Sequence, residues 1–293
     1  MKPDILIIGA GISGAVLAER YASIGKKVLI LEKRDHIGGN CYDYIDENGI
    51  LVSKYGAHLF HTKEEDVWEY VNKFGEWYDW EHKVIAKVDG QLVPIPVNIT
   101  TVNEIFGLDL STQEEMKEWL ENNRTPIKNP ENGKEAVLDK VGPVLYEKMF
   151  RHYTKKQWDK FPEELDASVL NRIPVRTNFD DRYFSDKYQA LPKGGYTEIF
   201  KNILSHPNIK VKLNTDYFDV KDSITGYEKL FYTGPIDRFF EFKHSLEDKL
   251  EYRSINFVSE TVDQELFQEN SVVNYPGMEV EFTRIIEYKH FGN

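Results

Sequence analysis

Residues 4–40, DILIIGAGISGAVLAERYASIGKKVLILEKRDHIGGN, decide the fold. An apolar run, Ile5 to Ile8, leads straight into Gly9-Ala10-Gly11-Ile12-Ser13-Gly14, which reads as strand, tight turn and helix. Gly9 permits the turn, Gly11 leaves room for a pyrophosphate against the backbone, and Gly14 lets the helix pack closely on the strand. The phosphates are expected at the helix N-terminus, beside Ser13, where unpaired N–H groups and the helix dipole favour negative charge. A second apolar strand, Val28 to Leu31, ends at Glu32, the acid expected on a ribose hydroxyl, with Lys33 next to it. A lone GxGxxG more often marks an ordinary glycine-rich loop; here strand, amphipathic Ala15 to Ser23 helix, second strand and terminal acid fall in the right order.

The residues after Glu32 separate the dinucleotides. Arg34-Asp35-His36-Ile37-Gly38-Gly39-Asn40 resembles the extended fingerprint of FAD-binding flavoproteins of the glutathione-reductase and amine-oxidase type, in which a second glycine pair passes close to the FAD. The resemblance implies FAD rather than NAD, with Gly38, Gly39 and Asn40 against it.

The chain has 293 residues, 41% hydrophobic and 13% aromatic, enough for two or three packed units. Its one cysteine, Cys41, excludes an intrachain disulfide and points to a reducing, cytoplasmic location; no base pairs with it as it would with a nucleophile. The first strand is expected to begin after three residues, so no signal peptide is expected. No apolar run approaches the ~20 residues that span a bilayer. The formal net charge is −12, from 37 Lys and Arg against 49 Asp and Glu. So acidic a chain is a poor nucleic-acid or membrane binder, and a phosphate-bearing substrate must be held by a few local arginines.

The fold class expected is α/β: a Rossmann-type FAD-binding domain with a helical insert and an antiparallel β-sheet domain. Residues 1–75 and 195–236 are assigned to the first, 102–172 to a helical substrate subdomain, and 76–101, 173–194 and 237–293 to the sheet domain. Val84 to Pro96 alternates around an Asp89-Gly90 turn signal, a β-hairpin. Ser111-Thr112-Gln113-Glu114 offers a helix start, and Pro126 to Gly133 a polar loop. A hairpin-like stretch at Tyr183 to Tyr188 precedes a helix near Thr197 to Leu204, and Val211 to Leu213, Lys229 to Tyr232 and Val272 to Tyr275 read as strands.

Three further segments, Gly56-Ala57-His58-Leu59-Phe60-His61-Thr62, Tyr153-Thr154-Lys155-Lys156-Gln157-Trp158 and Arg172-Ile173-Pro174-Val175-Arg176 with Asp180-Asp181-Arg182-Tyr183-Phe184, join the GGN motif and Thr283-Arg284-Ile285-Ile286-Glu287. Together, in order and over the whole chain, they closely resemble the bacterial UDP-galactopyranose mutase family. The resemblance implies isomerisation of UDP-galactopyranose to UDP-galactofuranose, a donor for cell-surface glycans, on FAD that must be reduced although the reaction makes no net redox change. The resemblance further implies that N5 of the reduced flavin would attack the anomeric carbon and expel UDP, the ring opening and reclosing through the 4-hydroxyl before UDP returns. NAD(P)H or another reductant for the flavin is implied, no nucleic acid or membrane partner, and a homodimer is compatible.

Carried over by motif, Arg172 and Arg284 clamp the diphosphate and stabilise the departing UDP as charge develops. Tyr183 contacts the diphosphate, Tyr153 stacks on uracil with Thr154 beside it, Trp158 lies near the sugar, Asn274 contacts uridine, and His82 supplies a polar side chain near the sugar. His61, counted with the arginines as catalytic, lines the flavin with Gly56 and His58. Each has a plainer reading: a solvated or ion-paired arginine, core aromatics at a helix end, structural histidines. A metal site is not expected, because no carboxylate or cysteine shares the histidine spacing.

The first 40 residues alone also fit an FAD-dependent oxidase or desaturase, which leaves Arg172, Arg284 and Tyr153 without a purpose. In the family the sequence continues past Asn293 with a Gly-Arg-Leu stretch and a Tyr-x-Tyr-x-x-Met-Asp-like motif that approach flavin and diphosphate. The chain lacks them, as a truncated or a short form, so weak FAD binding and low turnover are expected, down to a non-catalytic fragment.

Overall fold

A computed structural model describes residues 2–172, 174–240 and 250–292. The chain forms two units, one of residues 1–80, 187–260 and 292–293, the other of residues 81–186 and 261–291.

The first unit is organised by a parallel sheet in the order Ile209–Lys212, Val28–Leu31, Ile5–Ile8, Lys229–Tyr232. Ile5–Ile8 and Val28–Leu31 are buried at every position, as continuous apolar strands covered on both faces must be. The helix Ile12–Ser23 returns between them and turns Ala18 and Ala22 onto Ile5, Ile7, Val28 and Ile30, small side chains that allow close packing, while Ala15 packs with Ile199, Phe200 and Ile203. Closest approach falls at the turn itself, where a Cβ on Gly14 would lie 2.0 Å from the Gly9 carbonyl oxygen. Gly9, at φ +103°, faces Thr233 just past the neighbouring strand.

An antiparallel sheet in the same unit has Tyr188–Pro192 between Phe60–Thr62 and Trp77–Asp79. The hairpin expected over Tyr183–Tyr188 does not form. Residues 183–187 are irregular and only Tyr188 enters a strand. Within the stretch Tyr183 N–H donates to the His82 carbonyl and the Phe184 carbonyl accepts from the Arg176 guanidinium, which also takes the Asp180 and Arg182 carbonyls just before it. The helix expected near Thr197 spans Tyr196–Ile203 and is capped from outside, Asp43 accepting from the N–H groups of Tyr196 and Thr197.

The second unit holds the sheet Arg284–Ile286, Val272–Asn274, Val84–Val88, Gln91–Ile95. Its hairpin turns at Asp89 and Gly90, both at positive φ (50° and 87°), the geometry that an Asp-Gly pair favours. The helices Ile99–Phe106, Gln113–Asn123 and Gly133–Leu145 share one core with this sheet, centred on Ala86, Val93, Ile99, Met116, Val141 and Leu145. Thr112 and Glu115 form a reciprocal capping box at the second helix. The third kinks at Gly142-Pro143, then passes through a π-helical turn, Tyr146–Arg151, into the helix His152–Trp158.

Gly14→Ala is expected to destabilise the first unit by about 1–3 kcal/mol, since neither the Gly9 carbonyl nor the helix can give way without disturbing the sheet. Urea unfolding of variant and parent checks this; an unchanged midpoint would contradict so tight a turn.

Candidate functional site

In the first unit the fingerprint residues build a cradle. Gly11 stands before the helix Ile12–Ser23 with no side-chain cap, so the first-turn N–H groups are available to an anion beside the exposed Ser13. A Cβ on Gly11 would meet nothing nearer than 3.7 Å, the Cα of Gly39. Packing within the chain therefore gives no reason for a glycine there, unlike at Gly14, and the empty volume suits a ligand lying on the backbone. Gly38 and Gly39 both take positive φ (89° and 58°) and bring that loop over Gly11.

Glu32, buried at the end of its strand, accepts from Ala10 N–H and Arg34 N–H at 2.8 Å each, so one carboxylate ties the turn to the segment that leads to the second glycine pair. Each oxygen keeps a further acceptor site, as a ribose hydroxyl requires. Arg34, which opens that fingerprint but was given no role in it, donates to Asn40 Oδ1 at 3.0 Å and stacks 4.5 Å from the Tyr55 ring centroid. Lys33 is exposed and lies 3.7 Å from Asp216. The loop at Gly56 (φ 93°) runs to His58, whose Nδ1 lies 2.9 Å from the Gly56 carbonyl oxygen, and His61 is exposed on the strand Phe60–Thr62. Burial and the Asp43 carboxylate push the Cys41 thiol up to about 11, so it is no thiolate nucleophile at neutral pH.

A second cluster lies in the other unit. Arg284 Nη2 donates to the Tyr153 hydroxyl at 2.5 Å, and the guanidinium stands 5.9 Å from that ring's centroid. Asn274 is the cross-strand partner of Arg284. Its side-chain oxygen is buried without a hydrogen-bond partner. His82, 3% exposed, has Nδ1 in the same condition. The His82 carbonyl accepts from Tyr183 N–H at 2.6 Å, and the two rings meet edge to face at 5.9 Å. Burial, and then the Arg284 charge, push the His82 imidazole down to about 4, so it is neutral at neutral pH. Unpartnered buried polar atoms cost about 1–3 kcal/mol each, a cost that a ligand with matching groups removes.

Tyr153, Tyr183, His82, Asn274 and Arg284 are thus brought together. Thr154 is buried on the same helix and Trp158 closes it, partly buried. Arg172 stands exposed at the end of the helix Ala167–Asn171, outside this set of contacts. The charge pattern sets two of these arginines apart. Arg20, Arg124, Arg151, Arg176, Arg182 and Arg238 each have a carboxylate within ion-pair distance. Among the described residues Arg172 and Arg284 have none, and neither does Arg34, whose guanidinium bonds Asn40 in the first unit, in a chain with 49 acidic residues. Neither a helix long and apolar enough to cross a membrane nor a group of three His, Cys, Asp or Glu placed for a metal occurs among the described residues.

Known proteins resemble the chain over its whole length. Residues 148–293 match the family model described as UDP-galactopyranose mutase, and residues 7–74 that of an NAD(P)-binding Rossmann-like domain. A probable UDP-galactopyranose mutase of Klebsiella pneumoniae is 39% identical over 289 residues, 98% of this chain and 74% of that protein. A dTDP-fucopyranose mutase of Escherichia coli is 40% identical over 292 residues, 98% of this chain and 77% of that one. The crystal structure of a reduced UDP-galactopyranose mutase superposes with a TM-score of 0.71 at 21% identity, covering 96% of this chain and 69% of that one. The parallel sheet, the glycine turn and these alignments agree: the chain belongs to the UDP-galactopyranose mutase family.

Proposed function

We propose that the protein is a flavin-dependent mutase that interconverts the pyranose and furanose forms of a nucleoside-diphosphate hexose, with UDP-galactopyranose and UDP-galactofuranose as the pair. The observation that carries this reading is the carboxylate-free Arg284, bonded to Tyr153 and flanked by the unpartnered polar atoms of Asn274 and His82 in a member of this family.

FAD fits the first unit. Gly9, Gly11 and Gly14 with the open N-terminus of the helix Ile12–Ser23 hold the pyrophosphate, Glu32 the ribose, and Gly38, Gly39 and Asn40 the path beyond it. Gly56, His58 and His61 are assigned to the flavin half. When bound and reduced, by cytosolic NAD(P)H or another donor, the flavin supplies the nucleophile for the anomeric carbon. The chain's own residues bind and orient the substrate. The forks of Arg284 and Arg172 take diphosphate oxygens and favour the negative charge that grows on UDP as the anomeric bond breaks. Tyr153 offers its ring to the base and, through its hydroxyl, fixes the Arg284 guanidinium; Tyr183 adds a donor for phosphate. Trp158 is assigned to the sugar side and Thr154 to the substrate beside Tyr153. Asn274 and the neutral His82 accept hydrogen bonds from substrate hydroxyls. A second substrate, dTDP-fucopyranose, is favoured by one observation, the equal likeness to an enzyme named for it.

Chromatography of dithionite-reduced protein after incubation with UDP-galactofuranose tests the reading. Formation of UDP-galactopyranose supports it, turnover of only the dTDP-fucose pair selects the second substrate, and hydrogen peroxide release from an amine without either isomerisation would replace it by an oxidase. Arg284→Ala and Arg172→Ala are each expected to lower turnover by about 2–4 kcal/mol in transition-state terms, with flavin content unchanged. Tyr153→Ala is expected to weaken UDP binding by about 1–3 kcal/mol in calorimetry. Gly11→Ala, which the chain can accommodate, is expected to lower the flavin-to-protein ratio without shifting the urea midpoint of the flavin-free protein; full occupancy would remove Gly11 from the cofactor site.

His82 adds a pH dependence of known sign. A folded-state imidazole held down to about 4, against about 6.5 when unfolded, contributes stability present above pH 6.5 and lost as the pH falls toward 4. Between pH 7 and pH 4.5 the parent is expected to lose about 2–3 kcal/mol more than His82→Gln, which cannot titrate. Asp180, held below its usual range by Arg182, loses its contribution only at lower pH and does not share the window. Parallel unfolding curves at the two pH values decide the matter.

A further inference from the structure

Asn274 and Arg284 are the two ends of one loop. Tyr275 N–H donates to the Thr283 carbonyl oxygen at 2.9 Å and closes it; between them Met278, Glu279, Glu281 and Phe282 are exposed. Apart from the buried Pro276 and the edge-to-face contact of Tyr275 with Phe282 at 4.9 Å, the loop has little apolar burial to hold its course, so its backbone must be fixed largely by polar contacts. The Lys156 ammonium provides them. Its Nζ lies 2.5 Å from the Tyr275 carbonyl oxygen, 2.7 Å from that of Gly277, 3.0 Å from Phe282 and 3.2 Å from Val280. Three N–H donors serving four carbonyl oxygens means that at least one is shared, the arrangement of a small bound cation rather than of a surface lysine. Neighbouring Lys155 shows the ordinary case, an exposed pair with Asp159.

Lys156 and Tyr153 are three residues apart on the helix His152–Trp158, and so on the same face. That face holds the hairpin at two points, the loop backbone through Lys156 and the Arg284 guanidinium through the Tyr153 hydroxyl. We propose that Lys156 is a positioning residue: by gathering the carbonyls of residues 275, 277, 280 and 282 it sets the loop so that Asn274 and Arg284 face the nucleoside diphosphate beside Tyr153. A guanidinium on an exposed strand end is otherwise free to sample many rotamers, and ordering it in advance removes that cost from ligand binding.

The proposal rests on the assignment of Arg284 to the diphosphate, and a double-mutant cycle read by calorimetry with UDP separates the two. Lys156→Met, which keeps the stem and removes the charge, is expected to weaken UDP binding 10- to 50-fold in the flavin-bound protein, leave flavin content unchanged and speed amide exchange over residues 276–282. Lys156→Gln, which can still donate to two carbonyls, should fall between parent and Lys156→Met, and it serves as the test if the methionine variant does not fold. In an Arg284→Ala background the lysine substitution should weaken UDP binding less than 3-fold further, because a positioning effect vanishes with the group positioned, whereas general destabilisation would add in full. Parent-like UDP affinity or loop exchange in the lysine variants, or a full additive loss in the double variant, overturns the proposal while leaving the Arg284 assignment in place. Parent-like affinity in Arg284→Ala alone overturns both.

Discussion

The contact between Gly14 and the Gly9 carbonyl is the constraint on which the first unit is built. At 2.0 Å from a would-be Cβ, it admits no side chain, and it brings the start of the helix Ile12–Ser23 down onto the end of Ile5–Ile8. Once that turn is fixed, the first helical N–H groups can point only past the strand ends. Glu32 then joins the turn to the neighbouring strand by accepting from Ala10 and Arg34, and the Gly38-Gly39 loop comes to rest on Gly11. A cofactor cradle made this way is mostly backbone, and its chemistry is that of N–H groups and one carboxylate. Catalytic side chains are not what it offers.

The site in the second unit is made in the opposite manner, from side chains held by distant pairing. Asn274 and Arg284 share a register, and Val272–Asn274 runs parallel to Val84–Val88, a strand nearly two hundred positions earlier. Tyr153 reaches Arg284 from a helix that follows a π-helical turn, and the turn after Gly142-Pro143 sets which face of that helix looks toward the hairpin. Such breaks have a cost in helix stability that recurs at ligand sites, where side-chain direction matters more than regularity.

That difference explains what could be read without a structure. The glycine turn, the Asp89-Gly90 hairpin and the Thr112 helix start are dictated by local steric and hydrogen-bonding needs, which leave their mark in adjacent residues. The strand Lys229–Tyr232 was legible by its apolar run. Over Tyr183–Tyr188 the aromatic residues misled: residues 183–187 are irregular, and the Phe184 carbonyl is taken by the Arg176 guanidinium rather than by a strand partner. The site residues named from family motifs include five that the fold brings together, while Arg172 stands apart from them. Nothing in the string Tyr-Thr-Lys-Lys-Gln-Trp distinguishes Lys156 from Lys155, since a lysine that gathers carbonyls and one that faces water have the same local sequence.

The charge balance gives the substrate residues their weight. A net charge of −12 opposes a nucleoside diphosphate at a distance, but at physiological ionic strength such fields fade within about 8 Å. Inside that range the outcome depends on which cations are already neutralised. Most guanidiniums of the chain are paired with carboxylates and offer an incoming phosphate little net attraction. Arg284 is bonded instead to a phenol hydroxyl, which orients it without cancelling its charge. The same arginine helps keep His82 uncharged, so the imidazole adds no second positive charge and retains an acceptor nitrogen. One cation, one neutral acceptor and one amide oxygen in a single cluster match a ligand that is anionic at one end and rich in hydroxyls at the other, which is the description of a nucleotide sugar.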